Sequence, residues 1–208
     1  MLERYKTVYR GKEGEIIEKK SRFIADVKPV ESEAEATAFL ESIRKKYWDC
    51  RHHCSAFTIG ENNEITRCSD DGEPSGTAGR PILDIILGME IHNVCVVVSR
   101  YFGGTLLGTG GLVRAYTQAT QAAIAAAERV TVSVCVDIVL RIAYPLYDQA
   151  VRIASDCGAK TLDTQYADAV TMTLRMLDGT QEPLLAKLTE LCHGQEEVTV
   201  SKPLNAVF

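Results

Sequence analysis

One stretch limits what this chain can fold into more than any other: Val96-Val97-Val98-Ser99-Arg100-Tyr101-Phe102-Gly103-Gly104-Thr105-Leu106-Leu107-Gly108-Thr109-Gly110-Gly111-Leu112. The run from Val94 to Val98 is continuously apolar, so it reads as a strand buried on both faces. Five glycines then fall between Gly103 and Gly111. Beyond them Leu112, Ala115, Tyr116, Ala119, Ala122, Ala123 and Ala126 recur at helical spacing, and their small side chains suit a helix lying close against a sheet. Glycine tolerates φ > 0 and close backbone approach, and the free amides of a helix start form an anion site. Between His92 and Ala127 there is no Asp or Glu, while Arg100 and Arg114 are present. Arg114 lies about 200° round the helix from Leu112, so it faces away from the core. Two readings stand side by side: the loop meets an anion, phosphate first among them, or the glycines only let the helix pack tightly.

The rest of the chain supplies conventional elements. Tyr5 to Arg10, Glu15 to Glu18 and Arg22 to Val27 read as strands. Ser32 and Glu35 form a capping-box pair ahead of a helix carrying Ala36, Phe39, Leu40 and Ile43. Cys54 to Ile59 and Glu64 to Arg67 read as a hairpin. The loop from Ser69 to Pro81 feeds a short apolar helix carrying Ile82, Leu83, Ile85, Ile86 and Leu87, and Pro81 fits only in that helix's first turn, where no intrahelical N–H bond is lost.

Near Arg129 the pattern changes. Val134, Val136, Ile138, Leu140 and Ile142 alternate as a strand; a helix runs from about Pro145 to Cys157; strands follow at Lys160 to Gln165 and Val170 to Met176; a second helix carries Leu184 to Cys192; and Val198 to Val200 forms a last strand. This β-α-β-β-α-β order is the split-βαβ, ferredoxin-like arrangement. The fold class expected is therefore α+β, with a first domain over residues 1–130 and a ferredoxin-like domain over 131–208.

The net charge of -5 argues against a nucleic-acid footprint spread over the whole surface, though not against a local basic patch. No apolar segment approaches the ~20 residues of a membrane span, and the start lacks a signal-peptide core, so a cytoplasmic location is expected. Seven cysteines at irregular spacing suit reduced, mostly buried thiols.

Several clusters suggest chemistry. Asp70, Asp71 and Glu73 are the oxygen ligands that hard cations take, but without a second cluster they read as a solvated acidic turn. Cys50-Arg51-His52-His53-Cys54 gathers soft ligands without the second pair that zinc requires. His53 and Glu73 are types suited to acid–base work, though the sequence does not place them together. The glycine loop matches neither a P-loop nor a dinucleotide fingerprint.

Two long motifs carry a resemblance. Asp71-Gly72-Glu73-Pro74-Ser75-Gly76-Thr77-Ala78-Gly79-Arg80-Pro81 and Arg100-Tyr101-Phe102-Gly103-Gly104 with Leu107-Gly108-Thr109-Gly110-Gly111-Leu112 resemble the signatures of the YigZ/IMPACT family, supported by Ser21-Arg22-Phe23-Ile24 and His53-Cys54. The resemblance implies a first domain like the second domain of a small-subunit ribosomal protein, with a left-handed βαβ crossover, and a ferredoxin-like domain similar to one of elongation factor G. Eukaryotic members of the family are translational regulators that carry a further N-terminal domain.

Together these features lead to the expectation of a translation-associated regulatory protein, a binder more than an enzyme, whose partner is RNA, the ribosome or another anion. Its contacts would come from Arg80, Arg100, Gly103, Gly104, Gly108, Gly110, Gly111 and Arg114, with Asp71, Gly72, Glu73, Pro74, Gly76, Thr77 and Gly79 as an accompanying motif loop. No cofactor, metal, membrane or sequence-specific DNA partner is expected. The alternative is an enzyme binding a nucleotide or phosphorylated small molecule at the same loop, with Asp71 or Glu73 holding Mg²⁺. A third possibility puts the working surface on the C-terminal sheet, around Thr171, Thr173 and Arg175.

Overall fold

The valine strand sits at the centre of a five-stranded antiparallel sheet in a computed structural model that describes residues 4–195 and 197–208. The chain begins with β1 (Arg4–Arg10), β2 (Glu13–Glu18) and β3 (Ser21–Pro29), continues through helix α1 (Glu33–Lys46), the hairpin β4 (His52–Ile59) and β5 (Ile65–Ser69), helix α2 (Gly79–Gly88), β6 (Val94–Tyr101) and helix α3 (Gly108–Ala126). The sheet order is β2-β3-β6-β4-β5. Helices cover both of its faces, which is why the run Val94–Val98 of β6 has no polar alternate. Val94, Val96 and Val98 join the core formed with Ile82, Ile86, Leu112 and Tyr116 of α2 and α3. Cys95 and Val97 point the other way, into the core formed with Ala36 and Ile43 of α1.

The caps follow from local chemistry. Ser32 Oγ accepts the Glu35 amide at 3.2 Å, as a capping box requires, but the Glu35 carboxylate takes the amide of Glu31 instead of that of Ser32. The apolar stripe of α3 is turned from its expected course: Thr120 and Ile124 are fully buried, whereas Ala126 is exposed. The turn follows from where α3 rests on β2. A Cβ on Gly14 would lie 2.3 Å from the Ala123 nitrogen, so helix and strand touch backbone to backbone.

The chain divides into two compact units, residues 1–131 and 132–208. The strand expected to begin near Val134 begins six residues earlier, as β7 (Glu128–Ile142), directly after α3. A short 3₁₀ turn (Tyr144–Leu146) leads into α4 (Tyr147–Asp156), then β8 (Lys160–Tyr166), β9 (Val170–Leu177), α5 (Glu182–Cys192) and β10 (Glu197–Val200). The order β10-β7-β9-β8 is that of a split βαβ unit. A further strand, β11 (Leu204–Val207), pairs with Val132–Cys135 of β7 and was not expected. One face of this sheet packs Ile138, Leu140, Met172 and Leu174 against Leu184 and Leu188. The other face carries Asp137, Thr171, Thr173 and Arg175. Among the described residues no helix is long and apolar enough to cross a membrane.

Candidate functional site

The two motif loops converge at one end of the five-stranded sheet, where β3 and β4 begin and β6 ends. Register sets this: Arg100 of β6 lies opposite His52 of β4, and Tyr101 opposite Arg22 of β3. Period-2 alternation then carries Arg100 onto the face of Val94, Val96 and Val98, beneath α3. There Arg100 Nη1 donates to Glu73 Oε1 at 2.6 Å, and the Tyr116 hydroxyl donates to the same oxygen at 2.9 Å. The guanidinium carbon lies 5.4 Å from the ring centre of Phe23 and 5.6 Å from that of Phe102. Arg100, expected as an open anion contact on the glycine loop, is thus a buried member of a network that ties one motif to the other. Its Nε is enclosed and unpartnered, and Nη2 makes no hydrogen bond to a described residue.

The acidic cluster is internal scaffolding, not the solvated turn its composition suggests. The Asp70 carboxylate accepts the amides of Gly76, Ala78 and Gly79 at 2.8, 3.0 and 2.8 Å, so it caps α2 from eight residues upstream. Burial alone would raise the pKa of this carboxyl; the three amides outweigh burial and hold it below the usual carboxylate range. Asp71 accepts the His53 amide at 2.7 Å and Arg44 at 3.1 Å, while its carbonyl meets His52 Nδ1 at 2.8 Å. Gly72 adopts φ +86° against the His52 ring, Gly76 φ +75°, and Thr77 Oγ1 donates to the Pro74 carbonyl at 2.7 Å. A Cβ on Gly79 would lie 2.7 Å from the Ser69 backbone. Asp71 and Glu73 therefore hold protein donors where a Mg²⁺ site would need free oxygens. Among the described residues no group of three or more His, Cys, Asp or Glu is arranged to hold a metal.

His53 and Glu73 share no hydrogen bond. His53 points to the α1 face and bonds Ser99 Oγ at 2.9 Å; burial lowers its pKa. Cys54, on the α3 face, lies 3.2 Å from the Tyr116 hydroxyl, and burial pushes its thiol well above the usual range. A thiol held protonated in this way is a poor nucleophile.

The five glycines divide by role. Gly103 is a close-approach residue: a Cβ there would sit 2.1 Å from the carbonyl carbon of Lys20, and its amide donates to Ser21 Oγ at 3.1 Å. Gly104 and Gly108 adopt φ +85° and +71°. A Cβ on Gly111 would meet that of Leu107 at 3.0 Å. Gly110 has neither reason; its nearest neighbour is the Arg114 guanidinium at 3.8 Å. The first turn of α3 is left without a side-chain cap or an acidic residue. Arg114 is exposed and has no partner among the described residues, whereas the Arg80 guanidinium is held by Asp84 of its own helix at 2.7 Å.

Three cations at this end were not singled out from the sequence. The β2–β3 turn consists of Lys19 and Lys20 alone, at φ +44° and +68°. Such a turn needs φ > 0 at both positions and normally takes Asn-Gly. Both lysines and Arg51 are exposed and have no partner among the described residues. The one available signal was a Lys-Lys pair between two alternating segments. Beside them a pocket of about 710 Å³ is lined by Arg51, His52, Arg100 and the exposed Phe102 and Leu106.

Comparison with known proteins covers this whole site. The Impact N-terminal domain family matches residues 19–124, and a domain of unknown function, DUF1949, matches residues 140–195. The chain is 33% identical over 178 residues to "IMPACT family member YigZ" of Escherichia coli, covering 85% of this chain and 87% of that protein. It is 50% identical over 116 residues to "IMPACT family member YvyE" of Bacillus subtilis, covering 56% of this chain and about half, 54%, of that relative. A solved structure described as "Crystal structure of an hypothetical protein" superposes with a TM-score of 0.63 at 30% identity, over 97% of this chain and 99% of the other.

Proposed function

Because this chain belongs to the IMPACT family, in its two-domain form, we propose that it is a translation-associated protein of the cytoplasm that binds RNA through the end of the first sheet. Lys19, Lys20, Arg51 and Arg114 contact the phosphates, and the uncapped first turn of α3 receives one of them. The glycine loop keeps the role expected of it, with Gly104 and Gly108 shaping its path and Gly110 leaving the helix start open. Arg80 contributes less, since Asp84 already holds it, and Arg100, anchored by Glu73, reaches a phosphate only through the pocket it lines.

One observation carries this reading: the Lys19-Lys20 turn. Two lysines hold a left-handed conformation that costs roughly 1–2 kcal/mol per residue, and they are bonded through Ser21 to Gly103. Strain of this kind persists where the surroundings over-determine it and clusters at functional positions. The overall charge of -5 fits a local contact better than a broad one. The buried Cys54 thiol and the fully buried Ser99 hydroxyl favour binding over covalent catalysis.

The test is fluorescence anisotropy of the full chain with a short unstructured RNA at about 50 and about 200 mM salt. Wild-type binding should weaken with salt, and Arg51→Ala with Arg114→Ala should weaken it roughly tenfold at the lower salt. Both side chains are exposed and unpaired, so folding should be unaffected. Salt-independent binding, or a double variant that binds like wild type, overturns the proposal.

A further inference from the structure

Resting on the RNA reading, we propose that the pocket beside β6 holds one unpaired nucleotide, its base lying on Phe102 and its phosphate facing Arg51 and Arg100. The volume of about 710 Å³ suits one small ligand and is no groove for a duplex. Phe102 is a large apolar ring 57% exposed at the pocket, and Leu106 beside it is 83% exposed. Sequence-tolerant binding of single strands uses such exposed rings, because every base has a π-face to stack on them. A paired base cannot reach the ring, since its faces are already stacked in the helix.

Arg100 is the second, independent observation. More than nine-tenths buried, it is anchored from behind by Glu73 and packed between Phe23 and Phe102. One guanidinium nitrogen is spent on that anchor and Nε is enclosed, so Nη2, which makes no hydrogen bond to a described residue, is the nitrogen left for a ligand. A guanidinium fixed in this way is preorganised for an anion that reaches the pocket it lines. Arg51, exposed and unpaired at the same pocket, supplies the uncompensated positive charge. Asp49 also lines it, and its Oδ1 accepts the Tyr101 hydroxyl at 2.7 Å. That carboxylate repels a polyphosphate but accepts a hydrogen bond from a ribose hydroxyl. The pocket therefore selects a phosphodiester-linked ribonucleotide over a nucleoside triphosphate.

The experiment compares the full chain and its Phe102→Ala and Phe102→Tyr variants for binding a single-stranded RNA, the matching duplex and ATP, each at two salt concentrations. Wild type should bind the single strand about tenfold more tightly than the duplex, and ATP more weakly than either. Phe102→Ala should lose about tenfold on the single strand with the salt dependence unchanged, because stacking is not a counterion effect. Phe102→Tyr should restore binding, which separates stacking from mere loss of cover over Arg100. Equal binding of single strand and duplex, or Phe102→Ala binding like wild type, overturns the nucleotide pocket while salt-sensitive RNA binding survives. A wild type that binds neither RNA overturns the RNA reading itself, and ATP binding more tightly than RNA points to the small-molecule alternative.

Discussion

In the second unit, Asp137 and Arg175 face each other across β7 and β9 and share two hydrogen bonds, at 2.7 and 2.9 Å, on the open face of the sheet. In the first unit, Glu73 and Arg100 meet at 2.6 Å with side chains only 3% and 8% exposed. The chemistry is the same and the setting differs. The Asp137–Arg175 pair is partly buried, 23% and 18% exposed, and fits an ordinary alternating strand pattern. The Glu73–Arg100 pair is almost wholly desolvated, open only where Arg100 lines the pocket, and desolvation of that size is returned only by excellent geometry and further hydrogen bonds. Tyr116 supplies one such bond. The left-handed Lys19-Lys20 turn and the uncapped start of α3 lie at the same end of the same sheet. The comparison teaches that the buried ion pair lies where two sequence motifs cross, next to a left-handed two-lysine turn, while left-handed residues such as Glu90 and His193 and uncapped helix starts also occur elsewhere in the chain.

Predictions that would break the comparison begin with the ion pairs. Glu73→Ala leaves the Arg100 charge buried and uncompensated, and should cost about 3–5 kcal/mol in urea denaturation. Asp137→Ala removes a partly buried pair with two charged hydrogen bonds and should cost less, about 1.5–3 kcal/mol, in the same assay. Equal losses would remove the distinction between the two units. Tyr116→Phe deletes one hydrogen bond to a charged group and should cost about 2 kcal/mol, while leaving the Arg100 contact in place; a neutral result would mean the hydroxyl is idle. Lys19→Asn with Lys20→Gly relieves the strained turn and should stabilise the chain by about 1 kcal/mol while weakening RNA binding. Gain of stability together with full binding would show that the strain serves nothing.

The smallest effect is a pH dependence. Burial holds the His53 imidazole below its ordinary pKa of 6.5, and His92 is lowered by burial as well. The unfolded chain therefore takes up protons first as pH falls. Stability contributed by the neutral rings is full above 6.5, declines below it, and levels off below the folded-state values. The depressed Asp70 carboxyl adds a further loss as pH drops through its folded-state value. Denaturation curves between pH 7 and pH 5 should show the histidine decline, shallower in His53→Gln, with the Asp70 loss confined to pH below about 4. A wild type whose stability rises on acidification would reverse the sign.

Much of the architecture was legible because it depends on local pattern. The valine run placed β6 at the centre of a two-sided layer, and alternation at Ile138–Ile142 and Val170–Met176 placed the second core. What escaped depends on distant partners. Nothing around Arg100 announces Glu73, which lies 27 residues earlier, so an internal pair read as a surface charge. The Asp70 side chain caps a helix eight and nine residues further on, and such a span falls outside any capping rule. Lys19 and Lys20 lack the usual residues of a tight turn; the two-residue connection between β2 and β3 imposes their conformation, and Gly103 packs directly against Lys20. The strand β11 is four residues long and follows Pro203, so its periodicity was too short to read.

The measurement that reaches the central claim most directly is the salt dependence of single-stranded RNA binding, for wild type and for a variant with Lys19, Lys20, Arg51 and Arg114 all changed to alanine. Each phosphate contact on a single strand contributes about 0.7 to the slope of log affinity against log salt. The wild-type slope should fall by up to about 0.7 for each contact removed, with the variant still folded by denaturation. An unchanged slope in a folded variant would contradict the claim that this end of the sheet meets RNA.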